Sequence, residues 1–434
     1  MGSCCSTGER IEGSMVEERH NEKKTRLKKE DDRIDIPNSD CAGSNARVEG
    51  SSRFISMFTQ QGRKGINQDA MTVLENFNGE KDMYLCAVFD GHGPSGHKVS
   101  QQVRDSLPLQ LCTSFKKSQT NGFHYNNYPK DTEHSENVDH EDVHNNPFFG
   151  SWKSSLIKAF EEMDENLCSN VSIDTYFSGS TAVAVLKQGD HMVIANLGDS
   201  RAVLYSRGDD DQLVSVQLTI DLKPNLPKEA ERIKNCEGRV FAMDEEPEVF
   251  RMWMPEQNCP GLAMARAFGD FCLKDFGLIS IPEVSYRRLT DSDEFVVLAT
   301  DGIWDVLSND EVAEIVASAR KRSIAARLLV DRAVKAWRHK YPNSRVDDCA
   351  VVCLFLKNQR PFLTKAMSAA SRSSKSYSEV GVVPHFKTIE SDDGLDTVIN
   401  CEIGASPFWN TVTGLTRSLS HGLGRRRTTN DFKD

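Results

Sequence analysis

Apolar residues occur along this chain in short runs and in helical spacings, separated by polar turns. The short runs predict β-strands, and several of them are joined by brief turns containing Gly or Asp, as in hairpins. Meandering strands of this kind favour antiparallel pairing. The predicted strands cover 83–89, 181–187, 191–197, 201–206, 212–219, 294–300 and 349–357.

Apolar residues spaced three and four apart predict helices over 96–107, 151–167 and 323–338. A further helix is predicted to begin at the capping box formed by Ser308 and Glu311. Because the helices come in blocks separate from the strands, we predict an α+β fold with layered antiparallel sheets rather than a doubly wound sheet.

Three polar stretches interrupt or flank the apolar pattern. Residues 1–46 and 361–434 are predicted to be tails, and 117–147 is predicted to be a mobile surface insertion between two helices. The folded core is therefore predicted to span 47–360.

The formal net charge of −11 argues against a general nucleic-acid-binding protein, whose surface is normally basic. The twelve cysteines have neither zinc-site spacing nor the pattern of a disulfide framework. Together with the absence of a secretory segment at the start, this predicts a protein of the reducing intracellular compartment.

The N-terminal sequence MGSCCS matches an acylation pattern through Gly2 and Ser6, and Cys4 and Cys5 are available for S-acylation. One myristoyl chain anchors a protein only weakly, so stable attachment needs a second lipid or a basic segment. We therefore predict acylation and peripheral attachment to the cytoplasmic face of a membrane, with the plasma membrane as the first candidate. A cytosolic or nuclear pool is a further expectation. The alternative is an unmodified polar start.

Two apolar strands end in Asp-Gly, in FDGHG and in ATDGIWD, and other aspartates lie at strand ends or tight turns. A single such residue is more often a turn or cap residue than a metal ligand. Several together at neighbouring strand ends indicate a cation site, and oxygen-only ligands favour Mg²⁺ or Mn²⁺ over zinc. The candidates are Asp69, Asp90, Asp199, Asp270, Asp301, Asp305, Asp347 and Asp348.

The motifs RKGINQDA, FDGHG, SGSTAV, ANLGDSRAVL, LAMARAFGD, ATDGIWDVL and VDDCAVV occur in the order found in metal-dependent protein serine/threonine phosphatases of type 2C. From about 58 to 357 the chain resembles a plant member of that family. The resemblance implies a four-layer α/β/β/α sandwich of two antiparallel sheets flanked by helix pairs. It also implies that 221–262 is a flap-like segment beside the catalytic cleft.

The resemblance further implies hydrolysis of phosphoserine and phosphothreonine by a water bridged between two Mn²⁺ or Mg²⁺ ions, with a weaker third ion as a further expectation. It implies that Asp90 bridges the two ions, that the Gly91 carbonyl binds one of them, and that Asp301 and Asp347 complete the shell of the other. It also implies that Asp199 and Asp305 hold the third ion and that His92 is the general acid.

Three positions depart from the family pattern. Lys64, with Arg63 beside it, stands where a phosphate-contacting arginine is usual, and Gln68 replaces a metal-side glutamate. The usual Asp-Asn before the last strand is Asp347–Asp348 here, which leaves open which of the two faces an ion.

Three classes of function are therefore weighed. The leading hypothesis is a protein phosphatase that acts on phosphorylated proteins, with kinases as further candidate partners, and that is a monomer. The second is a catalytically weak module that binds phosphoproteins or kinases at a membrane, which the changes at Lys64 and Gln68 keep open. The third, a two-metal nuclease, is disfavoured by the acidic charge balance and the motif order.

Overall fold

The computed structural model describes residues 45–50, 54–120, 147–357 and 398–399. The predicted tails fall almost wholly outside these ranges, and so do 121–146 of the predicted insertion and the acylation candidates Gly2, Cys4 and Cys5. Within the described ranges, strand β4, Met83–Phe89, is buried along its whole length. Leu85 and Phe89 contact helices, whereas Cys86 and Val88 face a second sheet. A strand covered on both faces needs an uninterrupted apolar run.

The first sheet contains β4 as an inner strand. The strands of this sheet, whose bounds are given at the end of this paragraph, lie in the order β1–β3–β4–β7–β8–β15. One pairing departs from the expected antiparallel arrangement, because β1 runs parallel to β3 at the edge of the sheet. The strands are β1 Ala46–Glu49, β3 Ala70–Glu75, β7 Ala182–Gln188, β8 His191–Leu197 and β15 Glu283–Arg288.

The second sheet has five strands in the order β10–β9–β16–β17–β2, all paired antiparallel. Apolar side chains from one face of each sheet form a shared core between the sheets. The strands are β2 Ile55–Gln60, β9 Arg201–Arg207, β10 Leu213–Gln217, β16 Asp293–Ala299 and β17 Cys349–Phe355.

A helix pair covers the outer face of each sheet. Helices α1, Gly96–Thr120, and α2, Pro147–Ser169, pack on the first sheet. Helices α6, Asn309–Ala317, and α7, Ala325–Lys340, pack on the second. The predicted α/β/β/α sandwich is therefore confirmed. Shorter helices are α3 Pro227–Asn235, α4 Phe271–Lys274 and α5 Asp301–Trp304, with 3-10 turns at Phe77–Gly79 and Arg322–Ile324.

Two smaller sheets lie outside the sandwich layers. One contains β11 Arg239–Ala242, β12 Phe250–Trp253, β13 Gly261–Leu262 and β18 Val398–Ile399, so part of the predicted C-terminal tail pairs with the segment 221–262. The other contains β5 Gly91–His92, β6 Gly179–Ser180 and β14 Phe268–Gly269, and it brings His92 next to the glycine-rich turns.

The cysteines are mostly as the sequence predicts. Cys86, Cys349 and Cys353 are free and fully buried in strands. Cys259 is disulfide-bonded, which its spacing did not indicate. None of the helices in the described ranges combines the length and apolar character needed to cross a bilayer.

Candidate metal centre

Strand register brings the acidic strand ends to one edge of the sandwich. In the first sheet Ala70 lies opposite Phe89, so the flanking Asp69 and Asp90 are neighbours. In the second sheet Ala299, the last residue of β16, pairs with Arg201 of β9 on one side and with Val351 of β17 on the other. The residues that follow β16 therefore lie beside those that precede β9 and β17. These flanking positions hold Asp301, Asp199 and Asp347. Asp199 itself lies in the three-residue crossover from β8 to β9 that joins the two sheets.

The carboxylates at this edge are buried and repel one another. Burial raises the pKa of Asp90, and the neighbouring Asp301 raises it further. Burial likewise raises the pKa of Asp301, with Asp347 as the next cause. Burial and neighbouring charges bring the pKa of Asp305 and of Asp348 to about 6. A cluster of this kind is stabilised when cations neutralise it.

Unsatisfied polar atoms identify where a cation fits. Among the described residues, Asp90 Oδ2, Asp199 Oδ1 and Gln68 Oε1 are buried and have no hydrogen-bond partner. Buried acceptors are normally paired, so these oxygens are suited to a metal ion or to its bound water. Within the same ranges, no group of three or more His, Cys, Asp or Glu side chains is placed so that it could hold a metal ion by itself. Mg²⁺ needs no such group, since it keeps several waters and uses one or two carboxylates. The residues present therefore fit Mg²⁺ or Mn²⁺.

Lysines hold two of the carboxylates. Lys64 Nζ donates to Asp347 Oδ2 at 2.9 Å, and Lys223 Nζ donates to Asp199 Oδ2 at 2.5 Å. Arg63, next to Lys64, is exposed and anchors the loop through its backbone N–H, which donates to the Val346 carbonyl.

Asp347 and Asp348 have different surroundings. Asp348 accepts hydrogen bonds from the backbone N–H groups of Gly62 and Gln68, one on each carboxylate oxygen, at 2.6 and 2.8 Å. It thereby holds the loop that carries Lys64. Asp347 instead contacts Lys64 and repels Asp301.

His92 is paired with Asp270 inside the protein. His92 Nε2 lies 2.6 Å from Asp270 Oδ2, and both side chains are almost fully buried. His92 Nδ1 has no hydrogen-bond partner among the described residues. A side chain at Gly179 would overlap Asp270 Oδ2 and lie 2.6 Å from His92 Nε2, so only glycine leaves room for the pair.

Glycine is also required at Gly91. A Cβ there would lie 2.5 Å from the Gly96 carbonyl oxygen and 2.6 Å from the Gln68 carbonyl oxygen. The backbone of Gly91 is thus packed between the start of α1 and the loop that precedes β3. This close packing fixes Asp90 and His92 on either side of it.

Sequence reasoning missed several residues of this site. Lys223 lies in a proline-containing loop and shows no local signal. Asp69 and Asp270 are among the candidate carboxylates, but their partners Thr300 and His92 are distant in the chain. Thr300 Oγ1 donates to Asp69 Oδ2 at 2.7 Å. Nothing in the sequence around Thr300 indicated this contact.

Comparison with known proteins agrees with the fold. The family model described as Protein phosphatase 2C matches residues 55–340. "Probable protein phosphatase 2C 33" of Arabidopsis thaliana is 48% identical over 431 residues, covering 91% of this chain and 86% of the relative. "Probable protein phosphatase 2C 14" of Oryza sativa subsp. japonica is 51% identical over 354 residues, covering 80% and 68%.

Solved structures support the same fold. The serine-threonine phosphatase 2C from Toxoplasma gondii has a TM-score of 0.58 and 24% identity, with 70% of this chain and 94% of that chain covered. At this identity the likeness shows the fold alone.

The family match and the relatives identify the class of protein as a metal-dependent hydrolase. This chain belongs to the protein phosphatase 2C family and is a protein serine/threonine phosphatase. Of the three classes weighed from the sequence, the enzyme is therefore confirmed. Family membership also implies Mn²⁺ or Mg²⁺ dependence and phosphoprotein substrates.

Proposed function

We propose that the acidic edge of the sandwich holds two Mn²⁺ or Mg²⁺ ions and, more weakly, a third. Asp90 would serve both ions of the pair, the Gly91 carbonyl one of them, and Asp301 with Asp347 the other, while Asp199 and Asp305 would hold the third. The observation that carries this proposal is the set of buried, partnerless oxygens on Asp90 and Asp199 within a cluster of mutually repelling carboxylates.

The protein's own residues supply positioning and a proton. When bound, Mn²⁺ or Mg²⁺ lowers the pKa of water and neutralises charge that develops on the phosphoryl oxygens. His92 donates a proton to the leaving serine or threonine oxygen, and Asp270 orients its ring. Because Nε2 is paired with Asp270, Nδ1, which has no hydrogen-bond partner among the described residues, is the nitrogen left to carry the proton.

Lys64 contacts the phosphate of the substrate. It binds as a point charge rather than as the bidentate fork of an arginine, and exposed Arg63 adds attraction at the mouth of the site. Gln68 receives a hydrogen bond from metal-side water through its partnerless Oε1. These roles rest on the shared loop that Asp348 holds against β17.

The two adjacent aspartates provide a test of this assignment. Asp347→Asn is expected to weaken Mn²⁺ binding about tenfold or more, because it removes a ligand charge. Asp348→Asn is expected to leave Mn²⁺ affinity nearly unchanged, because both oxygens of Asp348 already accept hydrogen bonds from backbone N–H groups. Calorimetric Mn²⁺ titration of both full-length variants measures this difference, and thermal unfolding serves to show that both variants are folded. A larger loss of affinity in Asp348→Asn would reverse the assignment.

We further propose that the protein acts as a monomer on phosphorylated proteins, kinases among them, and that it is held at the cytoplasmic face of the plasma membrane by acylation at Gly2 and at Cys4 or Cys5. The support is the N-terminal sequence, in which both signals of a two-lipid anchor are present.

Gly2→Ala is expected to move the full-length protein from the membrane fraction to the soluble fraction, because acylation of the glycine amine is lost. Replacing Cys4 and Cys5 by serine should give partial release, since one myristoyl chain binds membranes only marginally. Fractionation of cells that express each variant measures this, with Ser3→Ala as the matched control. Unchanged membrane association of Gly2→Ala would refute the anchor.

A further inference from the structure

Lys223 stands at the acidic edge but has no part in the roles proposed above. Its Nζ lies 2.5 Å from Asp199 Oδ2. The loop that carries it is fixed next to Asp199, because the Leu222 N–H donates to the Gly198 carbonyl and the Leu222 carbonyl accepts from the Ala265 N–H. Two residues before Lys223, Asp221 accepts hydrogen bonds from two nitrogens of Arg201. These hydrogen bonds hold the loop so that the ammonium of Lys223 lies against Asp199.

The ammonium of Lys223 attracts both Asp199 and Asp305, the two carboxylates proposed to hold the third ion. Burial alone would lower the pKa of its ammonium, but attraction to Asp199 and Asp305 outweighs burial and the pKa is raised. The same ammonium opposes the rise in the pKa of Asp305 that burial causes. Lys223 thus places a positive charge in contact with Asp199 and within electrostatic reach of Asp305.

Only one oxygen of Asp199 is occupied by this contact. Asp199 is 3% exposed, and its Oδ1 has no partner among the described residues, whereas its Oδ2 is taken by the ammonium. The Lys223 side chain is 39% exposed. It can therefore move its charged end into water without unfolding the loop, as a lysine on a flexible stem readily does.

We propose that Lys223 is an internal counter-ion which a divalent cation must displace from Asp199 in order to bind at Asp199 and Asp305. This inference rests on the proposed third-ion site. It makes Lys223 a residue that weakens cation binding at this site, because the ammonium competes for one carboxylate and repels a cation beside the other. A plain structural ion pair would instead support the site, and its loss would weaken cation binding.

The test is calorimetric titration of the full-length protein with Mn²⁺. Lys223→Met is expected to tighten the weakest binding step by about tenfold or more, the scale for losing one neighbouring positive charge at a half-exposed site. The tighter steps are expected to stay unchanged. Lys223→Arg, which keeps the charge, should retain weak binding. If Lys223→Met fails to fold, Lys223→Gln keeps a donor for Asp199 without the charge and carries the same expectation.

Lys357→Met is the matched control. Lys357 is 34% exposed and pairs at 3.3 Å with Glu294, which is 9% exposed, on the second sheet. The same change of charge there should leave all Mn²⁺ steps as in the wild type. Unchanged or weaker third-ion binding in Lys223→Met and Lys223→Gln, with the tight steps intact, would overturn this inference. Absence of any Mn²⁺ binding by the wild type would instead overturn the proposed metal centre.

Discussion

Asp90→Asn is expected to lower metal-dependent phosphate release from a phosphothreonine peptide by at least about 100-fold while raising the melting temperature of the metal-free protein. Activity falls because the charge that serves both proposed ions is lost. Stability rises because the native state disfavours the ionised form, since burial and Asp301 both raise the pKa of Asp90. Each kcal/mol of relieved repulsion corresponds to roughly 2–4 °C in a domain of this size. Phosphate release and thermal unfolding measure the two effects.

The sign of the stability effect depends on pH. For a carboxyl group whose pKa is raised on folding, the penalty is absent while it is protonated in both states and grows as pH rises above its unfolded value. The gain from Asp90→Asn should therefore be present at pH 7 and vanish below about pH 4, near the ordinary pKa of aspartate.

Asp293→Asn is the matched control for this change. Asp293 is 1% exposed but fully engaged, by Ser206 Oγ, by the Thr290 N–H and by Arg287. Burial would raise its pKa, but these partners outweigh burial and the pKa is lowered. The same substitution should therefore destabilise the protein and leave its response to Mn²⁺ intact. Equal destabilisation by both variants, or retained activity in Asp90→Asn, would contradict the proposed centre.

His92→Gln is expected to lower kcat on a phosphothreonine peptide by about 100- to 10,000-fold, the range for loss of a general acid. The loss should be much smaller with p-nitrophenyl phosphate, because its leaving group departs without a proton. Steady-state kinetics with both substrates measure the ratio. His191→Gln, at the far end of β8 beside Tyr286, is the control and should leave both rates unchanged.

Gly179→Ala extends the same test without replacing His92 itself. The added Cβ would displace Asp270 from His92. The substrate-dependent defect of His92→Gln should therefore reappear in weaker form. Equal losses on both substrates in both variants would show that His92 has a structural role and would contradict proton donation.

The sequence predicted the strands that have apolar layers on both faces and the helix that begins with a local capping box. Strands 83–89 and 191–197 were predicted with their observed bounds, because both faces of each strand lie against apolar layers. The helix after Ser308 was predicted from a local hydrogen-bond pattern, and its capping box is present. Such features depend on residues close in the chain, which one sequence displays directly.

Other elements depend on distant contacts. Helix α1 was predicted to end at 107 but continues through Pro108 to Thr120. Proline cannot bond the carbonyl of Arg104, and Thr72 Oγ1 on β3 donates to that carbonyl instead, at 3.2 Å. Strand β1 was not predicted, because its parallel pairing with β3 leaves no hairpin signal.

The candidate site divides in the same way. The candidate carboxylates were singled out because Asp-Gly at the end of an apolar strand, as at Asp90 and Asp301, and aspartates at other strand ends or turns are visible in one sequence. Lys223 and the pairing of His92 with Asp270 were not, because each contact joins segments brought together only by the sandwich.

The central claim is that the buried carboxylates at one edge of the sandwich form the divalent-metal centre of this phosphatase. Calorimetric titration of the metal-free, full-length protein with Mn²⁺, alongside Asp90→Asn, tests it most directly. We predict two tight binding steps and a weaker third in the wild type, with the tight steps lost in Asp90→Asn. Tight Mn²⁺ binding that survives in Asp90→Asn, or no binding by the wild type, would contradict the claim.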